Sequence, residues 1–301
     1  MTSEEHSPFY SKEGSGERSS SAECEAGPHQ GALRRSEEGA HQGELHRVAL
    51  LLSYDGGPYA GWQVQPKART VQGVLEEALS RPLRKETSII GASRTDAGVH
   101  ALGQVAHFNV TEEVELSKLH RSLNGLLPPS IRCRALAHVA PRFHSQLSAR
   151  GKLYTYRLQL GPVRDPLRRS VTAHWPYACD LDLLRAGGAL FVGTHDFAAF
   201  ANANLEGQAA RGSVRTIWRL AVEQVDDELR IHVEGNGFLY KMVRNLVGAL
   251  LEVAQGRAET TLLKQALRSK DRSLLPPPAP SEGLCLVRID HDQPFAWCPA
   301  P

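Results

Sequence analysis

The spacing of apolar and polar residues changes along this chain, and each change marks an element. Residues 48–54 form a short apolar run ended by Asp55-Gly56-Gly57-Pro58, which predicts a buried strand and then a turn. Val71, Val74, Leu75, Ala78 and Leu79 share one face at helical spacing, so a helix is predicted with Thr70 as N-cap and Pro82 near its end. Residues 87–92 and 104–110 read as two strands, joined by a connection of mostly small residues that contains Arg94, Thr95 and Asp96. A helix over 117–126, stopped by Pro128-Pro129, and a strand over 131–135 with Arg132 and Arg134 on a solvated face complete a first set.

After residues 140–151, which have no clear period, a second set begins. Residues 152–160 alternate up to Gly161-Pro162, with Leu153, Thr155 and Arg157 on one face and Tyr154, Tyr156 and Leu158 on the other. A helix is predicted over 181–192, then two alternating runs, 215–225 and 228–234, with a hairpin turn at Asp226-Asp227. The longest helical pattern covers 238–255, with Leu239, Met242, Val243, Leu246, Val247 and Leu250 buried, Asn236 or Gly237 as cap and Gly256 as terminator. A helix over 260–267, a proline-rich loop over 275–280 and a closing strand over 284–289 follow. This order predicts an α+β fold. Two similar subdomains, 47–145 and 146–295, are expected to merge their antiparallel sheets into one extended sheet with helices on one face and the catalytic cleft between them.

Composition changes the picture at the start of the chain. Residues 1–46 are rich in Ser, Glu and Gly without aliphatic periodicity, which predicts a disordered tail. Nine Glu against Lys12, Arg18, Arg34 and Arg35 give that stretch −5, and the whole chain carries +2, so the remainder carries +7. A mild basic excess suits a polyanionic partner that is bound and released. The tail has neither the apolar core of a secretory signal nor the Arg-rich, acid-poor make-up of a transit peptide, and a cytoplasmic location is expected. No stretch is apolar enough to predict a membrane span. Five scattered cysteines without metal-ligand spacing point to a reducing compartment and no structural zinc.

Asp96 is the leading candidate for chemistry. An ionised carboxylate beside a cation can attack an electrophilic carbon or accept a proton; the plainer reading is a turn cap paired with Arg94. Thr95 and His100 are weaker candidates. An aspartic-protease dyad fails because Asp55 lacks the matching surroundings, whereas a glycosidase pair of Asp96 with Asp196 or Glu234 stays open. Tyr154 and Tyr156 share a strand face and could stack a base, or be core. Trp62 and Gln63, in a Gly/Pro-bounded loop with Lys67 and Arg69 after it, suit RNA contact or anchor their own loop. Arg244, inside an apolar helical stretch, either snorkels to solvent or pairs with a buried acid, for which Asp96 is the choice. Arg132, Arg134, Arg142, Arg150, Lys152, Arg168 and Arg169 are candidates for phosphates.

Several short segments stand in a definite order along the chain. They are Tyr54-Asp55-Gly56 with Gly61-Trp62-Gln63, the loop from Arg94 to Ala101, and Lys152-x-Tyr154-x-Tyr156. Gly193-x-His195-Asp196-Phe197, Met242-Val243-Arg244-Asn245 and Glu282-Gly283-Leu284-x-Leu286 complete the set. Together they resemble the TruA-type tRNA pseudouridine synthase family, and the resemblance covers about residues 47–290, with Ser93 standing where many members have Gly. It implies an isomerase that detaches uracil from ribose, rotates it and rejoins it through C5 without metal, nucleotide or other cofactor. It also implies a homodimer acting on uridines of the anticodon stem-loop of tRNA. By the same resemblance Asp96 is the nucleophile, Arg244 its partner, Arg94 an aid to nucleotide extrusion, and Tyr154 the tyrosine that packs on the target base and helps remove the C5 proton. Leu284 or Leu286 would line the pocket, and Thr95, Trp62 and Gln63 are counted with the substrate-binding residues. A tRNA-binding or chaperone protein that kept the scaffold without the reaction is the alternative.

Overall fold

The computed structural model describes residues 45–202, 212–292 and 294–299; the expected tail, up to residue 44, lies outside the described residues. The first set is β1 (His46–Tyr54), α1 (Val71–Leu83), β2 (Ile90–Gly91), β3 (His100–Val110), α2 (Leu116–Leu126) and β4 (Ile131–Val139). The second is β5 (Ala149–Leu160), β6 (Ala173–Trp175), α3 (Leu181–Ala189), β7 (Gly193–Asp196), β8 (Val214–Val225), β9 (Glu228–Gly235), α4 (Met242–Ala254), α5 (Thr260–Ser269), β10 (Leu284–His291) and β11 (Cys298–Pro299). The strands β6, β7 and β11 were not predicted, being too short to show a period.

All the strands join one mixed sheet in the order β11-β4-β1-β3-β10-β5-β9-β8-β7, with β2 also on β3 and β6 also on β5. Alternation along β1 shows how it is built: Val48, Leu50, Leu52 and Tyr54 are buried, while Arg47, Leu51 and Ser53 are only half-buried. The two sets meet at β3 and β10, which run parallel with Cys285 opposite His100 and Leu286 opposite Ala101. A Cβ at Gly103 would lie 2.3 Å from the Val287 carbonyl oxygen, so this junction requires glycine. Because β1 occupies one edge of β3 along its length, β2 and β10 share the other, β2 at Ala106–His107 and β10 at His100–Ala101. The Asp96 loop emerges where these two partners part.

Three boundaries depart from the periodicity. The strand expected over 87–92 shrinks to β2 because α1 takes its backbone bonds: Glu76 accepts from Ile89 N at 2.9 Å and Gln72 donates to the Ile89 carbonyl at 3.1 Å. β3 starts four residues early, its first turn of chain captured by Tyr54 and β10. α4 begins at Met242 rather than at 238, and its cap is Lys241, in the left-handed region at φ 58°, not Asn236 or Gly237. Asn236 is instead bonded to Thr216 through both its amide N–H and its side-chain oxygen, which ties the segment before the helix to β8.

Candidate active site

Ala92 through Asp96, together with Val99, form the floor of a cavity of about 760 Å³. The loop is held from three directions. Ala92 N bonds the Val105 carbonyl at 2.8 Å, and the buried Gln104 side chain brackets Ser93, accepting from its N–H and donating to its carbonyl. From below, Trp62 N donates to the Thr95 carbonyl at 3.0 Å, and the Thr95 hydroxyl lies 2.8 Å from that of buried Tyr54. Gly61 makes the approach possible: it has φ 102°, and a Cβ there would lie 2.8 Å from the Thr95 oxygen. Trp62 itself is 1% exposed, its ring pressed on Gly91. His100 closes the loop with Nδ1 3.1 Å from both Gly56 N and the Asp55 carboxylate, and burial pushes its pKa down.

Asp96 meets one cation directly. Arg244 Nη1 lies 3.2 Å from Asp96 Oδ2, with both side chains about seven-eighths buried, so the pair is held largely away from solvent. Arg244 sits in the first turn of α4 and is aimed by a second bond, Nε to the Ala279 carbonyl at 2.7 Å, while Ala279 N returns to the Arg244 carbonyl. Burial pushes the Asp96 pKa above the ordinary carboxylate range, and the Arg244 guanidinium and the Lys241 ammonium pull against that rise. The outcome is a carboxylate that ionises at a cost. Above it Tyr154 presents its hydroxyl to Ser93 at 2.8 Å and its ring edge-on to Phe238 at 5.3 Å. Burial pushes that phenol up to about 12. Phe238, Leu239, Tyr240 and Lys241 supply the far wall.

The model of the tRNA pseudouridine synthase family matches residues 51–146 and 189–292, about two thirds of the chain. The chain belongs to this family. The tRNA pseudouridine synthase A 1 of Protochlamydia amoebophila is 46% identical over 82% of this chain and 97% of its own. The tRNA pseudouridine synthase A of Maridesulfovibrio salexigens is 41% identical over 83% and 92%, and that of Limosilactobacillus fermentum 38% over 83% and 98%. Among solved structures, a Cbf5-Nop10-Gar1 complex is matched at 13% identity and TM-score 0.30, over 67% of this chain and 54% of that one, a distance at which likeness carries no argument.

In this pseudouridine synthase family member the cavity gathers Arg94, Thr95, Asp96, Tyr154 and Leu284, with Arg244 reaching in to Asp96. Arg94 is exposed at the rim and makes no ion pair with Asp96, so the expected pair of arginines reduces to Arg244, joined by Lys241. Leu286 is buried behind the wall, opposite Tyr154 in the sheet, and lines no part of the cavity. Trp62 is a correction as well: filling the space above Gly91, it offers no face to a base, and Gln63 is exposed outside the cavity. Tyr156 is core, its hydroxyl bonded to the Pro280 carbonyl. No glycosidase pair exists, since Asp96 is the only acid among the described lining residues, and Asp196 and Glu234 pair with Lys270 and Arg288. Of the phosphate candidates, Arg168 is spent on Asp165 and Asp227 and Arg150 on Asp292, whereas Lys152 enters the cavity. Residues 238–241 were missed as lining because their apolar pattern reads as helix; Gly235-Asn236-Gly237 just before them was the available signal of a loop.

Proposed function

We propose that this cavity isomerises uridine to pseudouridine in tRNA, with the anticodon stem-loop as target and Asp96 as nucleophile. The observation carrying this reading is the isolated pair, one buried carboxylate held by one buried guanidinium at the floor of a nucleotide-sized cavity. Burial disfavours the charged form of Asp96 and the Arg244 guanidinium opposes that, while burial also strips the carboxylate of water and so raises its nucleophilicity. A stacked uridine must leave its helix or loop to reach Asp96, at a cost of a few kcal/mol offset by new stacking and phosphate contacts. Tyr154 and Phe238 offer apolar ring surface to the base, Leu284 packs beside it, and Arg94 and Lys241 line the cavity on opposite sides where the backbone enters. The base would be detached, turned and rejoined through C5 within the same walls. The chain's own residues supply every role named here. A homodimer in the cytoplasm, with the subdomain division at about residue 145, is part of the same reading.

The decisive measurement is tritium release from tRNA carrying 5-tritiated uridine. Asp96→Asn should abolish release while tRNA affinity stays within a few-fold. Turnover retained by this variant would remove Asp96 from the nucleophile role, and release from positions outside the anticodon arm would move the target.

A further inference from the structure

Ser93 makes a connection through its side-chain hydroxyl that a glycine at this position could not. Its Oγ lies 2.8 Å from the Tyr154 hydroxyl oxygen and 3.2 Å from Lys152 Nζ. Lys152 is fixed by a second bond, to the Ala92 carbonyl at 2.9 Å. Ser93 and Tyr154 are each 6% exposed, so neither hydroxyl can trade its partner for bulk water. The Gln104 bracket on the Ser93 main chain leaves the side chain little freedom to move away.

Counting hydrogens gives the chain a direction. An ammonium only donates, so Ser93 spends a lone pair on Lys152 and keeps one hydrogen to place. Donation from the ammonium polarises the Ser93 O–H and strengthens it as a donor to the next oxygen, while Tyr154, which lines the cavity, can turn its own hydrogen toward that space. The order is therefore Lys152 N–H to Ser93 Oγ, and Ser93 O–H to the Tyr154 oxygen. We propose that Ser93 and Lys152 are positioning residues that act through Tyr154, turning its hydroxyl hydrogen into the cavity toward the base. This rests on the reading of the cavity as the site of the flipped uridine. What it adds is the part of Ser93 and Lys152, which reach the base only through the tyrosine. The titratable groups facing Tyr154 are Asp96 from the loop, Cys285 from β10 and Tyr54 from β1, whose negative forms oppose its ionisation, and Lys152 from its own strand, bonded to Ser93; the bond from Ser93 favours ionisation.

A fluorotyrosine placed at position 154 of the full chain, titrated by ¹⁹F resonance, reads the relay without requiring turnover. Ser93→Ala and Lys152→Met should each lower the ionisation constant of that phenol about tenfold, because a charge-assisted donor to the oxygen is lost. Ser93→Thr, which keeps the hydroxyl, should restore it. In unlabelled protein Ser93→Ala should reduce kcat for tRNA about tenfold with KM within twofold, the pattern of a contact made at the reacting centre. A titration unmoved by both Ser93→Ala and Lys152→Met overturns the relay, whatever the activity shows. Failure of the wild-type chain to modify any tRNA would instead overturn the functional reading, and the titration would still judge the relay.

Discussion

At the scale of single residues, Asp96 concentrates the conflict between stability and chemistry. Its carboxyl titrates above the ordinary range in the folded protein because burial outweighs the attraction of Arg244 and Lys241. Between the unfolded and folded pKa values the native state then holds more protons than the unfolded one, so stability falls as pH rises through that window and stays lowered above it. Asp96→Asn, which mimics the protonated acid, is expected to leave Tm at neutral pH unchanged or raise it by about 2–4 °C at most. The gain should vanish when melting is repeated below the ordinary carboxylate pKa, where both states are protonated. A fall in Tm at neutral pH would mean that orphaning Arg244 costs more than burying the charge. The acid limb of the turnover profile should likewise lie above the usual carboxylate range, and Arg244→Met, by removing the main opposing influence, should push it further toward alkaline pH.

At the scale of elements, the loop before α1 serves the loop before β3. Tyr54, Gly56, Gly61 and Trp62 belong to one sequence motif, from which Trp62 was expected to contact substrate, yet each touches the back of the Asp96 loop. Gly61→Ala should therefore cost about 1–3 kcal/mol in chemical denaturation, through a left-handed residue gaining a Cβ against the Thr95 oxygen, and lower kcat by displacing Asp96. Retained kcat in a stably folded Gly61→Ala protein would detach the two loops. Elements with a long period were legible: β1, α1, α2 and the β8–β9 hairpin appear within a few residues of their predicted places. What failed was local pattern meeting a tertiary competitor, as where Glu76 and Gln72 take the backbone bonds of Ile89, or where Asn236 holds the chain out of α4. The Asp96–Arg244 pair spans 148 positions of sequence. Chemistry could nominate its members, but only the parallel junction of β3 and β10 and the placement of α4 bring them together. Burial of Trp62 was illegible for a related reason, since a loop's composition does not say which side of the loop faces the core.

At the scale of the whole molecule, the basic excess is unevenly available. Arg168, bonded to Asp165 and Asp227, is neutralised within the protein, while Arg94 and Lys241 line the cavity, on opposite sides of it. The affinity for tRNA should fall steeply with salt, and Arg94→Ala and Lys241→Ala should each reduce the slope of log K against log salt concentration by about 1 if each meets a phosphate. Arg168→Ala should leave the slope where it was. Filter binding across a salt series distinguishes these outcomes, and equal slopes in all the variants would move the nucleic acid out of this cavity.

β10 occupies the middle of the sheet, yet it is synthesised some 145 residues after the end of β4. At about 5–20 residues per second, roughly 7–30 s separate completion of the first three long strands from arrival of the strand that belongs beside them. Throughout that interval β3 offers a bare edge at His100 and Ala101, next to the loop that holds Asp96, and an unpaired edge recruits whatever strand reaches it first. The ribosome thus acts as a clock for this fold. A newly begun chain holds the acid but not the wall across from it, so it can neither enclose a nucleotide nor protect its own sheet. Faster synthesis of the second half, or a chaperone resting on β3, would shorten or cover the most aggregation-prone period in the protein's life.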